Sequence, residues 1–555
     1  MTTLPSRAHP DHLKKQAKEL LRLYRTGDAG AIARFAQSLP AAARRTPDEI
    51  AALQLRLHDA QSCIAREYGF ASWADLMLYV EASALAQRER AALIRRWLGL
   101  AYGGDVTGSY DAARPRVAAQ LLHTHADLLE GDVQVACAAG RLDVLTRITA
   151  ADPAWVNRAD GPLKLPPLVA VTHSRLGQLP EFAARLRECA HHLLAAGADP
   201  NQSIGNRFPP ASLAAPAETE RLSALYGAAG VNHDPALTEL LLNAGAHPDD
   251  GESLYHSLEN PDCTRVLLRH GARVPGTNAV RRALDMADAT GLELLLSHGG
   301  DANEPAGEGP TKMWGAPLLR AIAVSRSTRH IAALLAAGAD PTARTAAGIS
   351  AYRLAMQVGL PEVAALLRAA GAEDALSADD EFVAACARAD AAEAHRIQAR
   401  HPSLPGSLPA EQLRLLPDGA AWGSRDAVMA MVELGWPIDA RGGDWDASAL
   451  NHAIFRGDAE LTSFLLAHGA SWSAQHGFGS DAFGTLSWAS VNEPAGYDDP
   501  DWNGCARALI AHAAPVIERD PSNPERVFID GRPMRFSEAV TEVLLDAGGA
   551  TAGSS

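Results

Sequence analysis

Cysteine is scarce in this sequence, and its spacing excludes two kinds of cross-linked protein. The 555 residues include six cysteines, and no two of them form a Cys-x-x-Cys pair. A small secreted scaffold needs a dense disulfide framework, and a structural zinc site needs closely spaced ligand pairs. The scattered cysteines therefore indicate reduced thiols, and we expect a cytoplasmic protein.

Positive charge and long apolar runs are lacking as well. Lys and Arg number 50 against 66 Asp and Glu, which gives a net charge of −16. A nucleic-acid-binding protein carries a basic surface, so we expect no nucleic-acid partner. No apolar run reaches the roughly 20 residues that cross a membrane, and residues 1–7 contain no apolar leader segment. We therefore predict no membrane insertion.

The sequence also lacks the motifs of common catalytic folds. It contains no nucleophile elbow, phosphate-binding loop or dinucleotide fingerprint. Cys189 and His192 are spaced to share one helix face, but a third and a fourth metal ligand are not evident. We therefore predict no cofactor and no metal site.

What the sequence has is a recurring phrase, Leu-Leu-x-x-Gly-Ala. Close copies begin at Leu193, Leu241, Leu267, Leu334 and Leu465, and looser copies begin at Leu295 and Leu366. Gly338 to Gly371 spans 33 residues. A period of this length marks a stacked helical repeat, which is a binding surface before it is anything else.

Each repeat has a physical logic. The paired leucines give an outer helix its apolar face, and the following glycine can adopt the left-handed conformation that ends a helix. A shorter inner helix lies upstream, and in three repeats it opens with Pro317, Ser350 or Ser448. Proline and serine are favoured at the first turn and at the N-cap of a helix.

This pattern resembles the ankyrin repeat, in which an inner helix of the type Thr-Pro-Leu-His-x-Ala precedes an outer helix ending in Leu-Leu-x-x-Gly-Ala. Asn451 and Tyr255 stand where that family has its histidine, so the usual histidine bonds between repeats are in doubt. The segments 225–230, 250–257 and 379–386 resemble a long subfamily of bacterial ankyrin proteins. The Gly-Phe-Ala-Ser-Trp phrase at Gly69 resembles a helical module found ahead of such repeats.

The predicted fold class is all-α: an ankyrin-repeat solenoid with an N-terminal helical domain and a small C-terminal hairpin-helix cap. Asp530-Gly531 favours the tight turn of that hairpin. The predicted domains are an N-terminal helical module at 1–83, a helical linker or capping segment at 84–130, a first repeat block at 131–374, a second block at 375–514, and a C-terminal cap with a disordered tail at 515–555.

The spacing of the phrase is irregular in two informative places. Gly197 to Gly245 spans 48 residues, which indicates an insertion at Ile204–Glu220. Gly469 to Gly548 spans 79 residues and includes a loop, Asn492–Asn503, rich in Asp, Pro and aromatic residues. We expect any special activity of the protein near these two segments.

The inner helices of an ankyrin stack line its concave face, and here their positions are chemically mixed. The candidate ligand-binding residues are Tyr226, His233, Tyr255, His256, Trp314, Arg320, Asn451, His452, Trp488 and Asn492. Aromatic rings beside amides and an arginine suit a polar ligand such as a sugar or a peptide. For His256 and His452 we favour a structural role, because each repeat needs contacts with its neighbours.

Four carboxylates are weak catalytic candidates: Glu259, Asp285, Asp288 and Glu493. Two carboxylates about 5–10 Å apart in a closed cleft could act as general acid and base. The simpler interpretation is a solvated acidic face, as expected for a chain of this charge. We therefore do not expect an enzyme, and a hydrolase is the class to consider if there is one.

Two functional hypotheses follow. The first is a scaffold that binds a protein partner through its concave face. The second is a protein that binds a small polar, sugar-like molecule, or a hydrolase, and it requires Ile204–Glu220 and Asn492–Asn503 to close the groove. An enclosed concave pocket that holds two or more of Glu259, Asp285, Asp288, Arg320, Trp488 and Glu493 would favour the second hypothesis, and a shallow groove with these residues dispersed would exclude it.

Overall fold

A computed structural model describes the chain in two compact units, Met1–Arg282 (unit 1) and Ala283–Ser555 (unit 2). The residues it describes are all except 1–3, 6, 7, 40, 41, 43, 54, 87, 88, 110, 111, 126–130, 210–214, 306–314, 493, 495, 496, 498, 499, 521–525 and 552–555. The five domains expected from the sequence stay predictions.

Unit 1 begins with short helices that do not follow the repeat. They are α1 Pro10–Arg25, α2 Ala29–Ser38, α3 Pro47–Ala51, α4 Leu57–Glu67, α5 Trp73–Ala86, α6 Arg90–Ala101, α7 Gly104–Thr107 and α8 Pro115–Thr124. Gly69 has φ +85° just after α4. The Ser72 hydroxyl accepts a hydrogen bond from the Asp75 backbone amide (3.1 Å) and so caps α5.

Helix pairs follow in unit 1, each with an inner and an outer helix. The pairs are α9 Val133–Ala138 with α10 Leu142–Ala151, α11 Pro167–Thr172 with α12 Pro180–Ala195, α13 Ala224–Tyr226 with α14 Pro235–Asn243, and α15 Ser253–His256 with α16 Pro261–Arg269; α17 spans Ala279–Ala283. Inner helices α9, α11, α13 and α15 pack on one another in order, and outer helices α10, α12, α14 and α16 do the same. Each pair thus packs mainly on its neighbours.

Unit 2 repeats this arrangement. Its helices are α18 Thr290–Ser297, α19 Pro317–Ala323, α20 Thr328–Ala336, α21 Ala351–Gln357, α22 Pro361–Ala369, α23 Ala378–Ala387, α24 Ala391–Arg400, α25 Ala410–Leu413, α26 Leu415–Trp422, α27 Arg425–Glu433, α28 Ala449–Arg456, α29 Ala459–Ala467, α30 Ala482–Asn492, α31 Trp502–Ala513 and α32 Glu538–Thr551. The inner helices α19, α21, α23, α26, α28 and α30 form one continuous row.

Three small antiparallel sheets correct the all-α prediction to a mostly helical chain. The strands are β1 Ser203–Asn206, β2 Ala217–Ser223, β3 Arg441–Gly442, β4 Ala447–Ser448, β5 Ile517–Arg519, β6 Arg526–Ile529 and β7 Arg532–Arg535. β1 pairs with β2 inside the predicted insertion, β3 with β4, and β6 with both β5 and β7. The predicted hairpin is β6–β7, and both of its turn residues have positive φ, +49° at Asp530 and +76° at Gly531. That conformation matches the twist of a two-residue hairpin.

The last helix, α32, ends at Thr551. Residues 552–555 of the predicted C-terminal cap and disordered tail lie outside the described part of the chain.

The repeated phrase ends its helix as predicted wherever it occurs between pairs. The glycines of the phrase have φ between +84° and +96° at Gly197, Gly245, Gly271, Gly299, Gly338, Gly371, Gly435 and Gly469. At Gly338 a Cβ would meet no atom within 4 Å. The requirement for glycine there is consequently conformational and not a matter of space.

Asparagine side chains connect consecutive pairs where the histidines of the resembling family are absent. Asn303 donates from Nδ2 to the Gly338 carbonyl (2.8 Å) and accepts from the Asp340 amide (2.8 Å). Asn157 makes the same two bonds to Gly197 and Asp199, at 2.9 and 2.8 Å. The asparagine amide can do this because it offers a donor and an acceptor side by side.

Asn303→Ala is expected to destabilise the chain by about 1–2 kcal/mol, because two exposed hydrogen bonds of about 0.5–1.5 kcal/mol each are lost. Hydrogen exchange at the Asp340 amide should become faster, since that amide loses its acceptor. Urea denaturation and hydrogen-exchange mass spectrometry measure both effects. Asn243→Ala, on an exposed position of α14, is the control. Equal effects of the two substitutions would contradict the bridging role.

A buried carboxylate fixes the start of α23. Asp380 has no exposed surface. It accepts hydrogen bonds from Arg353 Nε and Nη2 (2.8 and 2.9 Å) and from the Ser377 amide and hydroxyl (both 2.8 Å). Burial opposes ionisation, but these donors outweigh it and hold the pKa of Asp380 below its ordinary value. The ion pair therefore ties α21 to α23.

Candidate functional site

In unit 1 the predicted residues of the inner helices form a row of rings. Tyr226 lies 5.2 Å from His256, and His256 lies 4.9 Å from Tyr255, between ring centroids. His173, which the sequence did not single out, extends the row at 5.7 Å from Tyr226. The guanidinium of Arg282 lies 5.7 Å over the Tyr255 ring. Sequence spacing therefore identified three members of one contiguous group.

Carboxylates along this row are held by basic side chains. Glu259 contacts His233 Nε2 at 3.2 Å and Arg282 Nη2 at 3.2 Å. His256 Nε2 lies 3.3 Å from Glu252. The contacts of Glu259, predicted as a weak catalytic candidate, are those of an ion pair that spans neighbouring repeats.

Burial sets the ionisation of the deepest rings in the row. It lowers the pKa of His173 to about 4, so this imidazole is neutral at pH 7. Burial also raises the pKa of the Tyr226 phenol well above its ordinary value. The inner end of the row is thus uncharged and serves packing.

Unit 2 contains a cavity of about 280 Å³ with strongly charged walls. Its wall includes the predicted Arg320, whose side chain is 9% exposed. Arg320 donates from Nη1 and Nη2 to Asp444 (2.9 and 3.2 Å) and from Nη2 to Asp285 (3.4 Å). The cavity therefore brings together three predicted residues, Asp285, Arg320 and His452.

Charge pairing governs the pKa values in this cavity. Burial alone would lower the pKa of Arg320, but the bonds and charges of Asp444 and Asp285 raise it above its ordinary value. Burial raises the pKa of Asp418, although Arg414 acts in the opposite direction at 3.6 Å. Desolvation also opposes ionisation of Asp444, but the Arg320 guanidinium keeps its pKa low. Asp444 is consequently ionised at neutral pH.

The turn between β3 and β4 carries Asp444 to Arg320. Asp418 accepts a hydrogen bond from the Gly443 amide (2.6 Å), and His452 Nε2 lies 3.3 Å from the Gly442 carbonyl oxygen. Gly443 has φ +71°, and a Cβ there would collide with the His452 ring. This turn is therefore anchored to two inner helices, α26 and α28.

His452 and Asn451 are buried members of the predicted set. Burial lowers the pKa of His452 to about 4, so the ring is neutral at pH 7. Asn451 is fully buried, and its Nδ2 lies 3.5 Å from the Ala474 carbonyl oxygen. Both side chains contact the loops ahead of the inner helices, which agrees with the structural interpretation of the histidine.

Beside the cavity, six aromatic side chains form a continuous group, which we call the aromatic strip. Its members are Trp445, Phe455, His476, Phe478, Trp488 and Tyr497. The ring centroids follow one another at 6.0 Å (Phe478 to His476), 4.8 Å (His476 to Trp445), 5.4 Å (Trp445 to Phe455), 5.4 Å (Phe455 to Trp488) and 6.1 Å (Phe455 to Tyr497). Phe478 is 82% exposed and Trp488 is 52% exposed. The strip is therefore an apolar surface open to a partner.

Of the strip, the sequence singled out Trp488 alone by residue. Tyr497 lies in the predicted loop Asn492–Asn503, and the run Gly442–Asp446 immediately ahead of an inner helix carries Trp445 and Asp444. In a helical repeat the turn before the inner helix lies beside the groove. Trp445, which stands between two aspartates in that turn, was therefore the sequence feature that could have indicated the strip.

The other predicted residues are placed apart from the cavity. Asp288 contacts Arg329 Nη1 at 2.9 Å, and a hydrogen bond from Thr290 lowers its pKa. Asn492 donates from Nδ2 to the Trp488 carbonyl oxygen at 2.8 Å. Trp314 and Glu493 lie outside the described residues.

The predicted insertion is a β hairpin that contacts the N-terminal part of unit 1. The Arg207 amide donates to the Asp105 carbonyl (2.9 Å), and Arg207 Nη1 donates to the carbonyls of Val106 and Leu163 (3.0 and 2.7 Å). These bonds hold the hairpin beside α7.

Comparisons with known proteins add one structural likeness. No protein-family model matches the chain, and no curated protein matches it significantly. A search of solved structures matches the crystal structure of the human ASB11 ankyrin repeat domain, with 19% identity and a TM-score of 0.19, over 42% of this chain and 96% of that chain. The helix pairs described above, and not this match, carry the structural argument. Among the described residues no helix is both long and apolar enough to cross a membrane.

Proposed function

We propose that this chain is an ankyrin-repeat scaffold that binds a protein partner through the concave face of its inner helices, and that the aromatic strip is its docking surface. The exposure of Phe478 and Trp488 at the two ends of a contiguous ring group carries this proposal. Exposed contiguous apolar patches mark interaction sites, and tryptophan is among the residues that contribute most to binding energy.

The architecture supports the same function. Inner helices packed in a row present an extended surface, which is how stacked repeats bind proteins. The strip is rigid because Phe455 and Trp488 stack with an angle of 12° between their planes. A preorganised aromatic surface loses little entropy on binding. The six cysteines are buried free thiols, and we place the protein in the cytoplasm on that basis.

The cavity of unit 2 holds two residues of the set that would favour the second hypothesis, Asp285 and Arg320. This supports the binding of a small molecule there, but the hydrolase form of that hypothesis receives less support. Each described carboxylate of the candidate set has a basic partner: Glu259 has His233 and Arg282, Asp285 has Arg320, and Asp288 has Arg329. An acid-base pair instead needs one carboxyl group that stays protonated near neutral pH. We therefore infer that these groups bind and orient, and that they do not catalyse.

Trp488→Ala is expected to weaken the binding of a partner peptide tenfold or more, because it removes the largest exposed ring of the strip. Peptides selected from a display library on the immobilised full chain would serve as probes, and fluorescence polarisation would measure their affinity. Phe208→Ala is the matched control, since Phe208 is a 44% exposed aromatic outside the strip.

A third variant, Phe478→Ala, helps to distinguish docking on the strip from non-specific binding to exposed aromatic residues. We expect selected peptides to keep their affinity for Phe208→Ala and to lose it with both Trp488→Ala and Phe478→Ala. If peptides bind all of these variants equally, the strip is not the docking surface.

A further inference from the structure

The 280 Å³ cavity beside the aromatic strip has more cationic than anionic side chains in its wall. Four arginines line it, Arg320, Arg326, Arg414 and Arg456, against three aspartates, Asp285, Asp418 and Asp444. Two of the arginines have carboxylate partners: Arg320 contacts Asp285 and Asp444, and Arg414 lies 3.6 Å from Asp418.

The other two arginines are held in place without a carboxylate. Arg326 donates to the carbonyl oxygens of Val324 (3.2 and 3.0 Å) and Met286 (3.0 Å). Arg456 donates to the Ala421 carbonyl (3.0 Å) and lies 4.6 Å over the Tyr497 ring. Within the described ranges, no carboxylate oxygen lies within 4.0 Å of either guanidinium. The carbonyl oxygens orient these two guanidinium groups but do not neutralise their positive charge.

This excess of positive charge in the cavity is opposite in sign to the net charge of the whole chain, which is −16. Arginine stays protonated in proteins, so the cavity keeps its cations at every physiological pH. With four arginines against three aspartates the wall has an excess of positive charge, and a concave wall with such an excess raises the local concentration of anions. The cavity is therefore arranged to attract an anion that the rest of the surface repels.

Four aromatic side chains contribute to the rest of the wall. Trp422, Trp445, Phe455 and Tyr497 line the cavity together with the arginines. A ligand site typically combines apolar walls with a few fixed polar groups, and drug-sized ligands occupy about 300–1,000 Å³. The 280 Å³ here suits a smaller molecule with one flat apolar group.

We propose that this cavity binds a small organic anion, a carboxylate or a phosphate monoester attached to a flat apolar group. Arg326 and Arg456 take the anionic oxygens, as guanidinium groups take carboxylates and phosphates elsewhere. The aromatic walls hold the flat group. Asp444, on its exposed turn, occupies Arg320 and competes with the incoming anion. Trp445, Phe455 and Tyr497 belong both to the cavity wall and to the strip, whereas Phe478 and Trp488 belong to the strip alone.

Benzoate and phenyl phosphate are the probes, with benzyl alcohol as the neutral analogue. Titration of the full chain by isothermal calorimetry, with tryptophan fluorescence as a second readout, should show binding of at least one anion and not of the alcohol. The two anions distinguish a carboxylate site from a phosphate site. R326Q and R456Q should each weaken binding at least tenfold, while R456K should retain part of it.

Two further variants test the geometry. R329Q removes an arginine of unit 2 that is paired with Asp288 and Glu293, and it should leave the affinity unchanged. D444N should strengthen binding several-fold, because Arg320 loses its competing carboxylate. Far-UV circular dichroism and thermal melts identify variants that have lost their fold, and R456K is expected to keep it.

The proposal is overturned if neither anion binds, if benzyl alcohol binds as well as they do, or if R329Q weakens binding as much as R326Q and R456Q. Binding of an acidic peptide without either small anion would overturn it too. Trp488→Ala separates the two proposals, since it should weaken peptide docking and leave the anion affinity unchanged.

Discussion

Replacing Asp380 with alanine is expected to lower the free energy of unfolding by about 3 kcal/mol, because the donors that converge on this fully buried carboxylate are left without their charged acceptor. Asp380 has no exposed surface, and Arg353, Gln357 and Ser377 all donate to it. Those donors would lose their acceptor together. The loss falls on the contact between α21 and α23 in the middle of the inner row of unit 2.

The same group makes stability depend on pH in a known direction. Its folded pKa is lowered, so the folded state favours the ionised form. The stabilisation is complete above the ordinary carboxyl pKa of about 3.9 and is lost as the pH falls through the lower folded value. Wild type should therefore lose stability at acid pH more steeply than Asp380→Ala.

Urea denaturation between pH 7 and pH 3 measures both effects. Asp379→Ala is the control: it also removes a carboxylate from the first turn of α23, but its side chain is only partly buried. The charge of Asp379 at the helix N-terminus contributes about 0.3–1 kcal/mol. One contrary result is that the two substitutions lower the free energy of unfolding equally, and another is that Asp380→Ala loses stability with falling pH as steeply as wild type does. Either result would show that the ion pair of Asp380 does not cause the predicted effects.

The repeat was predictable because it depends on local physics. A glycine after an apolar helix face ends the helix regardless of its distant surroundings, and the backbone at Gly338 and Gly469 has the left-handed conformation this requires. The Asp530-Gly531 hairpin was predictable for the same reason. Both features depend on residues within one turn of the chain.

The cavity was not predictable because its parts come from distant segments. Asp444 reaches Arg320 across 124 positions of the sequence, and periodicity carries no information about such a pair. The asparagine bridges are an intermediate case. The resemblance put the histidine bonds in doubt, but only the structure shows that Asn303 contacts the phrase of the next repeat. Sequence therefore located inner-helix residues such as Arg320 and Trp488 but not the turn that completes their surroundings.

The two leucines of the phrase differ in burial, which gives a second large expected effect. Leu334 is 0% exposed, whereas Leu335 is partly exposed. The first leucine is 0% exposed in every other close copy as well: Leu193, Leu241, Leu267 and Leu465. The second leucine is partly exposed at Leu194, as at Leu335, but buried at Leu242, Leu268 and Leu466. The first leucine therefore fills the space between an outer helix and its neighbours in every close copy, and Leu335 covers the edge of that space.

Leu334→Ala is expected to cost about 2–5 kcal/mol, because it removes a buried side chain and leaves a cavity that the rigid pair of helices cannot close. Leu335→Ala, one position away in the same helix, should cost about 1 kcal/mol, the usual size for a partly buried site. Because stacked repeats contact mainly their neighbours, faster hydrogen exchange should appear in α18, α20 and α22 and decline beyond them. Thermal melts and hydrogen-exchange mass spectrometry of the two variants provide the test. Equal losses of stability in the two variants would show that the phrase does not place its first leucine in the core. Hydrogen exchange that becomes faster uniformly across unit 2 would show that its repeats unfold as one body.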